Sequence, residues 1–340
     1  MEPLVSILIP AYNAQNWIAE SITSAVNQSW GRKEIIIIDD GSKDNTLTIA
    51  RRFESPSVRV VSQENQGAAA ARNKAWSLCQ GDYIQWLDAD DLLSVNKISH
   101  QIEAAQRSGD PQRLLSCGWG FFAYCPARAK FVPTSLWQDL SPLEWLVRKL
   151  SENLHMQTGT WLVSREVTEA AGAWDTTLAN DDDGEYFCRV LLASSGTAFV
   201  QESRVYYRVT PSTRVSYIGQ SNQKKNALLR SMKLHIHYLR SLEDSEPVRR
   251  ACVTYLQNWL IYFYPERLDI VDEMQALASS LGGKLEVPRL RWKYAWLKPV
   301  LGWERAKRAQ MLLPQLKSIM LRKWERYLYS LRRNEPLSKF

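Results

Sequence analysis

Glu34-Ile35-Ile36-Ile37-Ile38 runs directly into Asp39-Asp40-Gly41-Ser42-Lys43-Asp44. A nearly continuous apolar, β-branched run is what a strand buried on both faces of a parallel sheet requires. The polar turn after it supplies a glycine for an unusual backbone angle, and Ser42 or Asp44 can cap a helix reaching Phe53. Leu4 to Ile9, Val58 to Val61 and Tyr83 to Leu87 have the same strand character. Between them lie helical patterns: Trp17, Ile18, Ile22, Ala25 and Val26 recur at helical spacing, and Ala68 to Cys79 is alanine-rich. Strand and helix alternate, which predicts an α/β fold of Rossmann-like βαβ units with helices on both faces of the sheet.

Past about residue 110 the alternation loosens. Leu114 to Trp119, Thr160 to Ser164 and Val205 to Val209 are weaker strand segments, and Asp182 to Leu192 reads as a helix. From about residue 219 the pattern is helical, including Asn226 to Leu242 and Ala309 to Leu331, with breaks expected at Pro247, Pro265, Pro288, Pro299 and Pro314. The expected division is an α/β domain over residues 1–218 and a mainly helical C-terminal extension over 219–340.

The chain has 340 residues, 45% of them hydrophobic and 23% charged, enough apolar residue to bury a large core and exclude a disordered chain. Its net charge of +7 is unevenly spread. Residues 284–340 hold 15 Lys and Arg against 4 Asp and Glu, which is +11, so the preceding residues sum to −4. A mildly acidic body therefore carries a basic tail, with Trp292, Trp296, Trp303 and Trp324 inside it. The five cysteines show no metal-binding spacing and fit a reducing compartment. The four histidines, His100, His155, His235 and His237, lie on or beside helical patterns as structural or exposed residues. No secretory signal and no bilayer-spanning run is expected, so the protein is placed in the cytoplasm.

In an open α/β sheet, ligands sit outside the carboxyl ends of the strands, where helix N-termini converge. The first strand ends in Pro10-Ala11-Tyr12-Asn13, the second in Asp39-Asp40-Gly41-Ser42 and the fourth in Asp88-Ala89-Asp90-Asp91. Five carboxylates on two neighbouring strand ends repel one another unless a cation or hydrogen-bond donors share the site. The Asp88-Ala89-Asp90 triplet suits Mg²⁺ or Mn²⁺ held by one or two carboxylates and completed by phosphate oxygens. The alternative is a solvated turn with Asp91 capping the next helix. Asp40 can bind a base or ribose donor, and Tyr12 can stack on that base. No G-x-G-x-x-G or G-x-x-x-x-G-K-[ST] follows any strand, which leaves the phosphates to a metal.

These segments together resemble family 2 glycosyltransferases of the GT-A fold. The matching text is Val5-Ser6-Ile7-Leu8-Ile9-Pro10-Ala11-Tyr12-Asn13, Ile37 to Thr46, Asn65-Gln66-Gly67 with Ala71-Arg72-Asn73, and Gly81-Asp82-Tyr83-Ile84 leading into Leu87-Asp88-Ala89-Asp90-Asp91. The resemblance implies that Pro10, Ala11, Tyr12, Asp39 and Asp40 line the nucleoside side of a nucleotide-sugar site, with Arg72 and Asp88 on the nucleotide. It implies that Asp90, helped by Asp88, binds the metal, and it favours uridine. A later acidic pair supplies the family's catalytic base; Ala173-Trp174-Asp175 followed by Asp182-Asp183-Gly184-Glu185-Tyr186-Phe187 is similar to that segment. Registering Arg189 with the arginine that closes this helix in the family puts the base at Asp183, and a one-residue slip puts it at Asp182. Asp181 to Asp183 could also simply cap the helix and oppose its dipole. Tyr206-Tyr207-Arg208 resembles a segment that closes the donor site, without the histidine that often follows.

The expected activity is inverting transfer of a sugar from a nucleotide diphosphate sugar to an acceptor hydroxyl on a carbohydrate or lipid-linked acceptor, in cell-surface polysaccharide or glycoconjugate synthesis. The alternative is a non-catalytic nucleotide-sugar-binding or membrane-peripheral protein that keeps the fold. In the tail, Leu312, Leu316, Ile319, Met320, Trp324, Leu328 and Leu331 form an apolar stripe, with Lys317, Arg322, Arg326 and Arg333 elsewhere on the helix. Such a helix can lie on an anionic membrane, here the inner face of the plasma membrane, or pack on the body. Nucleic acid is not an expected partner, since the body is acidic and no recognition motif is present.

Overall fold

A computed structural model describes residues 2–209 and 221–331. Its first half places β1 (Val5–Ala11), α1 (Ile18–Val26), β2 (Lys33–Asp40), α2 (Thr46–Arg51), β3 (Val58–Gln63), α3 (Ala68–Leu78) and β4 (Tyr83–Trp86) in strict alternation. There follow β5 (Leu92–Leu93), α4 (Lys97–Ser108), β6 (Leu114–Phe122), β7 (Lys130–Phe131), α5 (Pro142–Glu152), β8 (Leu162–Ser164), α6 (Arg165–Ala171), α7 (Asp182–Ala193) and β9 (Thr197–Arg208). Beyond them come only helices: α8 (Asn222–Leu242), α9 (Glu246–Trp259), α10 (Leu268–Ser280), α11 (Trp292–Ala295) and α12 (Lys298–Leu331).

The described strands make one nine-stranded sheet in the order β3-β2-β1-β4-β8-β6-β9-β5, with β7 paired to β6. The first four strands are parallel, whereas β8 runs antiparallel to both β4 and β6. β2 and β3 extend from one side of β1 and β4 lies on the other, so the strand order reverses at β1. The crevice outside the carboxyl ends of β1 and β4 is thus the switch point where such sheets take ligands.

The isoleucine run behaves as its composition demands. Ile35 and Ile37 point into one core with Ile7, Ile9, Ile18 and Ile102, beneath α1, α2 and α4. Ile36 and Ile38 point the other way with Leu8, into a core covered by α3, α5, α6 and α7. That second core continues through Leu228, Met232 and Ile236 of α8, Tyr255 and Leu256 of α9, and Ile270 and Met274 of α10. The helical material after β9 therefore closes a face of the α/β body. The boundary expected near residue 218 falls within 210–220, outside the described residues.

Two local expectations are corrected, and a third is narrowed to one of its alternatives. Asp91 caps no helix: β5 intervenes, and α4 begins after Asn96. Asp44, not Ser42, bonds the start of α2, its Oδ1 accepting from the Thr46 amide at 2.9 Å. In α12 the non-helical residue is Gly302, at φ 76°, while the helix runs through position 314; Pro299 sits in the first turn, where proline is tolerated. Tail positions 301, 314–318, 321–324 and 326–331 have no described side chains and 332–340 are not described, so the stripe residues Leu316, Trp324, Leu328 and Leu331 and the basic residues Lys317, Arg322, Arg326 and Arg333 lie outside the described side chains.

Candidate active site at the switch point

Parallel register brings Ala11 opposite Asp39 and Leu8 opposite Trp86, so the three strand-end motifs reach one edge together. The loops after β1 and β2 are laced across. The Asn13 amide donates to Ser42 Oγ at 3.0 Å, the Lys43 amide to Asn13 Oδ1 at 2.8 Å, and the Ala14 amide to Thr46 Oγ1 at 2.7 Å. This leaves Tyr12 half exposed at the mouth, with Pro10 partly and Ala11 fully covered beneath it.

Asp40 is buried, and all of its carboxylate acceptor positions are used. Oδ1 accepts from Gln63 Nε2 at 2.8 Å and the Gln66 amide at 2.9 Å; Oδ2 accepts from Asn65 Nδ2 at 3.1 Å and the Gly67 amide at 2.8 Å. A carboxylate offers about four lone-pair sites, so Asp40 is saturated by its own chain and holds the loop that opens α3. A nucleoside base reaching it must displace one of those donors. Gly41, at φ 70°, is required here, because a Cβ would lie 2.8 Å from the Asn65 amide nitrogen. Asp39 is equally buried; its Oδ2 accepts from Ser62 Oγ and the Ser42 amide, while among the described residues its Oδ1 has no partner.

Arg72, one turn into α3, joins the remaining motifs. It donates from one guanidinium nitrogen to Asp88 Oδ1 at 2.9 Å and from the other to Asp182 Oδ2 at 2.8 Å, so residues 16 and 110 positions away meet on one side chain. Burial opposes its charge, but Asp88, Asp182 and Asp183 hold its pKa above the ordinary value. The guanidinium lies 4.3 Å from the Trp174 ring centroid, and Trp174 stacks on Tyr186 at 4.0 Å. Asn73 fixes that tryptophan by a reciprocal pair with its backbone, 2.9 Å in both directions. An aromatic floor thus sets the height of Arg72, and cation–π attraction adds to the ion pairs.

The strand-end aspartates are braced by Gln157, which carries no sequence signal, and by Arg208 of the Tyr206-Tyr207-Arg208 segment. Gln157, buried, donates to Asp91 Oδ2 and lies 3.5 Å from Asp88 Oδ2. The Arg208 amide donates to Asp91 Oδ1 at 2.7 Å, and its guanidinium donates to the Asp90 carbonyl at 2.8 Å and to Glu20 at 2.6 Å. Arg208 is therefore a buried strut between β9, α1 and the Asp88 to Asp91 turn. Ser21 Oγ adds a bond to the Ala89 carbonyl at 2.8 Å.

The resemblance implies Mg²⁺ or Mn²⁺ at this turn. Among the described residues Asp88 Oδ2 has only the long Gln157 contact, and Asp90 is the half-buried residue beside it. Two hard oxygen donors at a strand end match a cation whose other ligands are phosphates and water. Among the described residues no three His, Cys, Asp or Glu converge into a full protein cage, and a cation held through one or two carboxylates needs none.

The three aspartates before and within α7 diverge. Asp181, at φ 58°, sends its carboxylate back to Ser231 Oγ and caps nothing. Asp182 pairs with Arg72, and burial, opposed by Arg72 and reinforced by Asp183, Asp88 and Asp181, pushes its pKa up to about 6. Asp183, partly exposed, accepts from the Gly184 amide at 2.9 Å. Gly184 must lack a side chain: a Cβ would stand 2.2 Å from Asp181 Oδ1. Of the histidines, His235 is fully buried and His155 is exposed beside Trp119.

Comparison with known proteins bears on the family and the fold. The model of Glycosyl transferase family 2 matches residues 6–167. An uncharacterized glycosyltransferase of Rickettsia typhi is 30% identical over 221 residues, 64% of this chain and 69% of the relative. TuaG of Bacillus subtilis, a glycosyltransferase assigned to teichuronic acid biosynthesis, is 38% identical over 126 residues, 36% of this chain and 47% of its own length. Chondroitin synthase of Escherichia coli is 46% identical over 98 residues, 28% of this chain and 14% of that protein. Among solved structures, S. aureus TarS 1–349 in complex with UDP-GlcNAc superposes with a TM-score of 0.67 at 16% identity, covering 89% of this chain and 87% of that one. At that identity the likeness concerns the fold alone.

Proposed function

The chain belongs to glycosyl transferase family 2, and from that premise we propose that it is an inverting, metal-dependent enzyme that moves a sugar from a UDP-linked donor to an acceptor hydroxyl. The observation that carries this reading is the convergence of Asp88 and Asp182 on Arg72 at the sheet's switch point. The diphosphate side and the base side of a transferase are thereby within one side chain of each other. The UDP-GlcNAc bound by the structural neighbour supports a UDP-sugar donor, and the names of TuaG and chondroitin synthase favour a polysaccharide or related cell-surface acceptor.

In this mechanism Tyr12 offers a face for the base, and the β1 and β2 end loops shape the nucleoside pocket. Arg72 sets its charge beside the diphosphate. Asp88 and Asp90 would hold Mg²⁺ or Mn²⁺, whose charge favours departure of the nucleoside diphosphate. Asp183 takes the proton of the acceptor hydroxyl as its oxygen bonds to the anomeric carbon; the bond from that carbon to the phosphate oxygen breaks, and UDP leaves with the electron pair. One displacement inverts the centre. Asp182, already engaged by Arg72, keeps the arginine in place, and this division of labour favours Asp183 as base.

The test is a screen of nucleotide sugars with Mn²⁺ for donor hydrolysis and transfer. Asp183→Asn should keep UDP binding and lose roughly 10² to 10⁴-fold in turnover; a full rate in that variant removes the assignment. Asp90→Ala should leave UDP affinity insensitive to Mn²⁺ in calorimetric titrations with and without the ion.

The tail supports a peripheral membrane role in the same reading. Trp292, Trp296 and Val300 are four residues apart and 81%, 65% and 72% exposed, among Arg289, Arg291, Lys293 and Lys298. Exposed tryptophans ringed by cations suit an anionic lipid interface. No helix among the described residues is long and apolar enough to cross a bilayer.

A further inference from the structure

The face of α8 turned toward α7 carries polar residues at one helical interval: Ser231, His235 and Tyr238. Each meets a partner. Ser231 Oγ donates to Asp181 Oδ2. His235 Nε2 stands 3.5 Å from Ser231 Oγ and 3.8 Å from Asp181 Oδ2, while its Nδ1 lies 2.9 Å from the Tyr255 hydroxyl of α9. Tyr238 donates to Glu185 at 2.6 Å, and next to this row Arg230 pairs with Asp175 at 3.2 Å. Ser231 and His235 are fully buried.

Burial pushes His235 down to about 3, so the ring is neutral near pH 7. In the neutral ring with the proton on Nε2, Tyr255 donates to Nδ1, Nε2 lies among Ser231 Oγ, the Asp181 carboxylate and the Gly184 backbone, to which it is hydrogen-bonded, and Ser231 donates to Asp181. The contacts run from Tyr255 through His235 and Ser231 to Asp181 and the backbone of Gly184. Asp181 holds a left-handed backbone at φ 58°, a conformation side-chain-bearing residues adopt rarely and singly. It immediately precedes Asp182 and Asp183. Something must hold it there, and Gly184 provides only the room.

We propose that Tyr255, His235 and Ser231 of the helical extension form a positioning relay for the catalytic turn. By clamping Asp181 in its left-handed conformation, they set the direction in which Asp182 meets Arg72 and Asp183 meets the acceptor. The extension is thereby part of the machinery of transfer. This rests on the reading of Asp183 as base; a displacement of about 1 Å at a reacting group costs up to ~10²-fold in rate, so the relay acts on turnover without touching donor or acceptor.

The experiment compares Ser231→Ala, Ser231→Thr, Tyr255→Phe and Asp183→Asn in the full-length protein, measuring kcat, donor KM, UDP affinity and Tm. Ser231→Ala should lower kcat roughly 10- to 100-fold with donor KM and UDP affinity within about twofold of the parent. Ser231→Thr, which keeps the hydroxyl, should restore most of the rate. Tyr255→Phe should show a smaller loss in the same direction, and it decides the matter if Ser231→Ala does not fold. The relay is overturned if Asp183→Asn is inactive while Ser231→Ala or Tyr255→Phe turns over at the parent rate, or if threonine fails to rescue and the loss follows Tm alone. Full activity in Asp183→Asn instead overturns the base assignment beneath it.

Discussion

Asp181, Asp182 and Asp183 have the same side chain and three different surroundings, and the glycine after them makes this possible. In an ordinary helix Gly184→Ala gains up to about 1 kcal/mol from propensity. Here the new methyl would collide with a clamped carboxylate, so the bond to Ser231 must break or the turn must shift. We expect Gly184→Ala to destabilise by about 1 to 3 kcal/mol, read by urea denaturation, and to lower turnover with it. Asp182 gives a pH signature. Its folded pKa of about 6 lies above its ordinary value, so the folded state binds this proton more tightly. The stability it contributes is complete below about pH 4 and is lost as pH rises through 6. An uncharged Asp182→Asn should therefore look most favourable, relative to the parent, in thermal melts near pH 8, and that advantage should shrink toward pH 4.5. The acidic motifs were legible in the sequence because each follows a strand or opens a helix. Gln157 was not, since its bond to Asp91 spans 66 residues and leaves no local spacing to read, and Arg208 was flagged only by resemblance, its bond to Asp91 spanning 117 residues.

At the level of elements, the four parallel strands and α1 to α3 were readable because a doubly buried strand has to be continuously apolar. β5 was not: two residues, Leu92 and Leu93, have no periodicity, and their pairing with β9 is what displaces Asp91 from the helix start. The tail is readable only in part, for its amphipathic stripe fits two environments equally well. Among its described residues, the start of α12 packs on the body. Lys307 is buried and donates to the Tyr264 carbonyl and to Glu266, Ala306 is fully covered, and Gln310 accepts from the Arg291 amide at 2.7 Å. A buried ammonium with two such partners is an anchor, and removing it leaves them unpaired. Lys307→Met should release α12 locally, giving faster tryptic cleavage within residues 291–308 while Tm of the body shifts by only a few degrees.

Across the whole molecule, the tail combines that anchor with an outward edge of Trp292, Trp296 and Val300. If this edge is a membrane contact, the Trp292→Ala, Trp296→Ala double variant should float poorly with phosphatidylglycerol vesicles, and added salt should weaken the parent, at about 1 kcal/mol per basic residue near the surface. Equal flotation of parent and variant removes the proposal. The core shared between the sheet helices and α8 to α10 has a consequence in time. When β9 leaves the ribosome, one side of α5 and α7 is still bare, and its cover is encoded in the residues up to Leu285. At ~5–20 residues per second that is a wait of roughly 4 to 15 seconds. In that interval α5 and α7 lack the α8 and α9 they pack against in the finished fold. The late helices therefore complete a core that the α/β segment begins, and translation order delays that closure until they emerge.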